Sequence, residues 1–156
     1  DVHALRQGLA DGTIDTVGTD HAPHTAETKQ CEWVVAAMGM TGLETALPVV
    51  QHAMVDTGLL DWHGVARVMS ANPARIYRHT DQGQLTDTGS LVHGEVANLA
   101  IYDPTHTFVV NPAEHASKSA NSPYKDMELS GQVTDVFYRG HRVVADTKLT
   151  SPYQHS

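Results

Sequence analysis

A single cysteine, few basic residues and the absence of any long apolar run each close off a class of function. Cys31 alone cannot form an internal disulfide, so nothing here calls for an oxidising compartment. Lys and Arg number 10 against 18 Asp and Glu, for a formal charge of -8, and they are scattered along the chain. Nucleic-acid affinity rests on clustered cations, so nucleic acid is not an expected partner. No stretch approaches the roughly 20 apolar residues that cross a bilayer, which argues against a membrane partner. No secretory signal precedes Asp1, and a cytoplasmic address is the default expectation. Internal repeats and low-complexity linkers are also missing. What remains is 156 residues, 40% hydrophobic, enough for a real core in one domain or in pieces of two.

Histidine is the compositional oddity, at 11 residues. His3, His52, His63, His79, His93, His106, His115, His141 and His155 stand singly, with no H-x-H or H-x-x-x-H pair among them. They read as ordinary surface or satisfied core residues. Only His21 and His24 share a motif with a carboxylate, in "IDTVGTDHAPHTAETK" at residues 14–29.

Periodicity divides the chain into unlike halves. Val2, Leu5 and Leu9 fall on one helical face, with Gly12 as a stop. Ile14 to Thr19 reads as a short strand, and a loop containing "AAMGMTG" follows its motif. Leu43, Leu47, Val50, Met54 and Val55 recur at helical spacing, with Thr41 as N-cap and Glu44 as its capping-box partner. Pro48 should kink that helix or delay its start. A short helix is expected from Asp61, and Pro73 favours a fresh helical start at Ala74. Beyond about residue 80 the pattern turns to short β-branched runs, "ANLAIYD", "TFVVN", "GQVTDVFYRG" and "HRVVAD", as in a small antiparallel assembly. Residues 139–142 read as a hairpin turn, and the polar tail "KLTSPYQHS" as frayed. A lone strand at Ile14 to Thr19 would have two unpaired edges, so its neighbours are expected from elsewhere and the chain reads as the end of something longer.

Asp20 falls just past that strand, where parallel α/β folds place reactive groups. Three readings stay open on spacing alone. Asp20 could cap its own turn, ligate a zinc-like ion, or act as a general base on a metal-activated water.

Several stretches, taken in order, carry a resemblance: "DGTIDTVGTDHAPHTAETK", "GMTGLETALPVV", "SANPARIY", "GSLVHGEVANLAIYDP", "KSANSPY" and "VTDVFYRGHRVV". Together they resemble the C-terminal part of the bacterial dihydroorotases, cyclic amidohydrolases of pyrimidine biosynthesis. The resemblance implies an α/β fold class: the C-terminal part of a metal-dependent (β/α)8 barrel, with its last strand and helices in residues 1–79. Strands of a small β domain would occupy 80–150, with a tail at 151–156. It implies the reversible hydrolysis of L-dihydroorotate to N-carbamoyl-L-aspartate at a zinc centre, binuclear in the complete enzyme. Asp20 would be both metal ligand and catalytic proton relay, His24 would hold the substrate carboxylate, and the backbone of Met38 and Gly39 would contact the ring. His21 inherits no family role, and a structural hydrogen bond is the preferred reading. Asn98 stands where related enzymes often carry Asp.

The family's H-x-H pair, two further histidines, bridging carboxylate or modified lysine, and substrate-binding Asn and Arg are all absent from this sequence. The expected partners are therefore the small-molecule substrate and the missing N-terminal barrel portion, with a homo-oligomer or aspartate transcarbamoylase as further candidates. The isolated chain is expected to be inactive. Two alternatives stand beside this reading: a catalytically silent dihydroorotase-like subunit that partners aspartate transcarbamoylase, and a hydantoinase or allantoinase relative. His24 and "GMTGLETALP" argue against the second.

Overall fold

A computed structural model describes residues 1–78 and 91–150. The boundary expected at residues 79 and 80, the tail at 151–156, and His79 and His155 lie outside the described residues.

The first half is helical. Helix α1 (Val2–Asp11) ends at Gly12, whose φ of 88° supplies the left-handed cap that a side chain would resist. Of its apolar stripe only Leu9 is buried, while Val2 and Leu5 are exposed. A single helical turn, α2 (Ala26–Lys29), closes the motif, ahead of the loop that contains "AAMGMTG".

The next helix begins later than its apolar pattern suggests. Helix α3 (Ala46–Val50) starts after Thr45 and continues as a π-helical turn over Gln51–Val55. Pro48, placed in the first turn, loses no hydrogen bond there because first-turn N–H groups have no helical acceptor. The expected capping box does not form. Thr41 donates to the Asn121 carbonyl instead, and the Glu44 carboxylate accepts the Ala116 and Ser117 N–H groups.

Asp61 caps α4 (Trp62–Ala66), its carboxylate accepting the Gly64 N–H at 2.7 Å. A π-helical turn at Arg67–Ala71 leads straight into α5 (Asn72–Arg78). The helical run therefore passes through Pro73 rather than starting afresh at Ala74, with the wider π turn lying directly before the residue that cannot donate to an α ladder. Leu9, Val50, Met54, Leu60, Val65 and Val68 form the core of this half, with Ile14, Val17 and Leu47 packed against it. No helix among the described residues is long and apolar enough to cross a membrane.

The strand expected over Ile14 to Thr19 is not formed. A ladder needs a neighbour, and no second strand runs beside these residues among those described. What exists is a 3.2 Å hydrogen bond from the Val17 N–H to the Val68 carbonyl and an isolated parallel bridge between His21 and Met40.

The second half is one antiparallel sheet in the order β1 (Leu99–Val109), β2 (Glu128–Tyr138), β3 (His141–Ala145), β4 (Lys148–Leu149). The runs "ANLAIYD" and "TFVVN" merge into β1, whose register against β2 slips between Asp103 and Thr107. Pro104, which cannot donate to a ladder, sits in that bulge. Arg139 and Gly140, at φ of 49° and 80°, make the tight turn between Tyr138 and His141. Asn98 Oδ1 accepts the Arg139 N–H at 2.8 Å, an acceptor that an aspartate would equally provide. Asp146 and Thr147, at φ of 50° and 69°, turn the chain again, so Lys148 and Leu149 pair with β3 rather than fray.

The halves meet at the bulge. The Tyr102 hydroxyl donates to Gln51 Oε1 at 2.8 Å, and Gln51 Nε2 donates to the Pro104 carbonyl at 3.0 Å. Burial, helped by Asp56 and Asp103, pushes the Tyr102 phenol up to about 12, so it stays a neutral donor. Trp62 packs at 5.6 Å between ring centroids against the same tyrosine.

Candidate functional site

Asp20 adopts a φ of 44°, in the left-handed region that aspartate enters more readily than most side chains. It is exposed, and its carboxylate has no hydrogen bond or ion pair among the described residues. The next residues lie alongside a second loop at 37–43. The Ala22 N–H donates to the Met40 carbonyl at 2.9 Å. His21 Nδ1 accepts the N–H groups of both Gly42 and Leu43 at 3.2 Å. His21 is thus a hydrogen-bonded structural residue.

The same contact brings His24 and Gly39 together. A Cβ at position 39 would lie 3.1 Å from His24 Nε2 and 2.7 Å from the Ala22 Cβ, and the φ of 123° there already favours glycine. Met38, beside it, is 93% exposed, and its backbone groups are unbonded among the described residues. The residues around Met38 are tied down. Lys29 Nζ donates to the carbonyls of Ala37 at 2.6 Å and Gly39 at 2.9 Å, and Asn121 Nδ2 donates to the Gly39 carbonyl at 3.0 Å.

His24, Lys29 and Asn121 open onto a cleft of about 500 Å³, completed by Asn111, Lys118, Ser119 and Lys125 among others. Three of the chain's four lysines line it, and no carboxylate does. Cations that look scattered along the sequence are therefore gathered by the fold. Asp20 and Met38 are not part of the cleft lining. Sequence reasoning missed Lys29, Lys118, Asn121 and Lys125 as site residues. The stretches "TAETK" and "KSANSPY" held the signal, but nothing local shows that residues 80 positions apart converge.

A catalytic zinc takes three protein ligands and keeps one open position. No group of three His, Cys, Asp or Glu side chains converges among the described residues, and one nitrogen of His21 is already engaged by backbone. The described residues therefore do not bring together the donors that hold a catalytic metal, and Asp20 stands among them as a single candidate ligand.

The amidohydrolase family model matches residues 1–143. Dihydroorotase of Streptomyces coelicolor is 55% identical over 150 residues, covering 96% of this chain and 34% of that protein. Dihydroorotase of Mycobacterium tuberculosis is 49% identical over 149 residues, again 96% of this chain and 34% of its own length. Among solved structures, L-hydantoinase (dihydropyrimidinase) of Arthrobacter aurescens matches with a TM-score of 0.81 at 30% identity, over 94% of this chain and 32% of that one. D-hydantoinase (dihydropyrimidinase) of Thermus sp. matches at 0.82 and 26% identity, over 95% and 32%. The chain thus spans about a third of the length of the relatives it matches and carries part of the fold of these hydantoinases. With the family match running from Asp1 to Val143, the chain belongs to the amidohydrolase family.

Proposed function

We propose that this chain is the C-terminal third of a dihydroorotase, with residues 1–79 completing a (β/α)8 barrel and residues 80–150 forming its β domain. The complete protein hydrolyses L-dihydroorotate reversibly to N-carbamoyl-L-aspartate. The observation that carries this reading is the pairing of His24 with the Gly39 loop beside a cleft that holds three lysines and no carboxylate. A cyclic amide bearing a carboxylate needs such a place: donors and positive potential for the anion, and backbone polar groups for the ring. The 49–55% identity to dihydroorotases over 96% of the chain supports the same substrate over the hydantoins, because the solved hydantoinases quoted above stand at 26–30%.

In this reading the zinc centre is built mainly from residues outside this chain, with Asp20 as one ligand. Asp20 accepts a proton from the attacking water. The ring C–N bond breaks, the water oxygen stays on the carbonyl carbon, Asp20 returns its proton to the leaving nitrogen, and the second water proton passes to solvent as the new carboxyl group ionises. The exposed, unpaired carboxylate of Asp20 is free for both transfers. Backbone of Met38 and Gly39 contacts the ring, and His24 holds the substrate carboxylate.

In the complete protein, Asp20→Asn should reduce kcat by at least about 10²-fold, the lower end of what a general acid–base group contributes. Circular dichroism should be unchanged, because the residue is exposed. A folded variant keeping more than about a tenth of wild-type kcat would return Asp20 to an ordinary turn role. Absence of turnover in the purified, metal-loaded wild type would leave the silent-subunit reading in its place.

A further inference from the structure

We infer that Lys29 and Asn121 are positioning residues that together set the geometry of the Met38–Gly39 backbone, and so determine how tightly dihydroorotate binds. The inference rests on the proposal that this backbone contacts the substrate ring. The Gly39 carbonyl receives two donors, the Lys29 ammonium at 2.9 Å and the Asn121 amide at 3.0 Å. The same ammonium donates to the Ala37 carbonyl at 2.6 Å, so one cation bridges the peptides on either side of Met38. Asn121 also grips the far side of the loop, its backbone carbonyl accepting the Thr41 N–H at 2.9 Å and the Thr41 hydroxyl at 3.2 Å. Thr41 is buried.

These bonds leave one stretch of backbone free. Ala37, Gly39 and Met40 have their carbonyls engaged, whereas the N–H and C=O of Met38 are unbonded among the described residues and stand at the exposed tip. A tip held at both ends presents those groups in one orientation, which spares a ligand the entropy of ordering them. Lys29 is the last residue of the one-turn helix α2, while Asn121 comes from the segment between β1 and β2. The second half of the chain thereby reaches into the site of the first. Lys29 is spent on carbonyls, so its task differs from that of the cleft lysines Lys118 and Lys125.

The test is steady-state kinetics of the complete protein, wild type against Lys29→Met, Lys29→Arg, Asn121→Leu and the Lys29→Met/Asn121→Leu double variant. The single removals should raise KM for dihydroorotate roughly ten-fold with kcat within about three-fold of wild type, the signature of lost uniform binding. Lys29→Arg should recover most of the affinity. Because both donors act on one carbonyl, the double variant should raise KM by less than the product of the singles. Melting temperatures identify any variant that has merely unfolded, in which case Lys29→Arg and Asn121→Leu carry the comparison. An unchanged KM in folded variants, or a fall in kcat at constant KM, overturns the inference while leaving the proposed function intact. A wild-type protein that does not turn over dihydroorotate removes both.

Discussion

His24 and His21 stand three positions apart in one loop, and their surroundings differ. His21 spends Nδ1 on two backbone N–H groups, whereas His24 turns Nε2 toward the Gly39 loop and lines the cleft. If His24 clamps the substrate carboxylate, His24→Ala in the complete enzyme should lower kcat/KM for dihydroorotate about ten- to hundred-fold. A charge-assisted hydrogen bond contributes about 1.5 to 3 kcal/mol, and about 1.4 kcal/mol is one decade. A ring analogue without the carboxylate should lose far less. Equal losses on both substrates, measured side by side, would assign His24 to the reaction or to the fold. The motif made Asp20, His21 and His24 visible in the sequence because three ionisable side chains crowd five residues. Lys29 and Asn121 were not visible, since a lysine on a one-turn helix and an asparagine in a loop acquire meaning only when folding brings them to one carbonyl.

Among the elements, those with local causes were readable and those with distant causes were not. Gly12 ends α1, Asp61 starts α4, and Arg139–Gly140 closes a hairpin, each through its own backbone preference. Thr41 and Glu44 had the spacing of a capping box, but tertiary acceptors and donors at Asn121, Ala116 and Ser117 took them instead. The bulge in β1 was equally hidden, and it depends on Gly131 across the sheet. A Cβ there would overlap the Tyr102 hydroxyl and lie 2.7 Å from Gln51 Oε1, at a φ of 112°. Space is denied because Tyr102 and Gln51 use it to join sheet to helix. Gly131→Ala should therefore destabilise the complete protein by about 2 to 4 kcal/mol, combining overpacking with backbone strain. Urea denaturation would read this as a lower midpoint. A change under about 0.5 kcal/mol, typical of exposed sites, would mean that the Tyr102–Gln51 contact is not what joins the halves.

For the whole molecule, the least settled part of the fold is the part that the described residues leave without packing partners. Residues 14–19 have the composition of a strand and no neighbour to pair with among the described residues, and α1 buries only Leu9 of its apolar stripe. Trp33 at 92% exposure and Val34 at 91% add to an apolar surface that water meets directly. Such a surface favours association, since removing apolar area from water is worth about 25 cal/mol per Å². In the proposed reading the site also needs other chain, since the described residues offer one exposed carboxylate at Asp20 against the three protein ligands that a catalytic zinc takes. Expressed alone, these 156 residues should bind a hydrophobic dye, self-associate with rising concentration, and show neither dihydroorotate turnover nor tight zinc uptake by calorimetry. If the proposed function holds, adding the other two thirds of a dihydroorotase as a separate chain should suppress the dye signal and restore turnover together. Turnover by the isolated chain, scaling with its concentration and abolished by Asp20→Asn, would show that it builds a complete site without them.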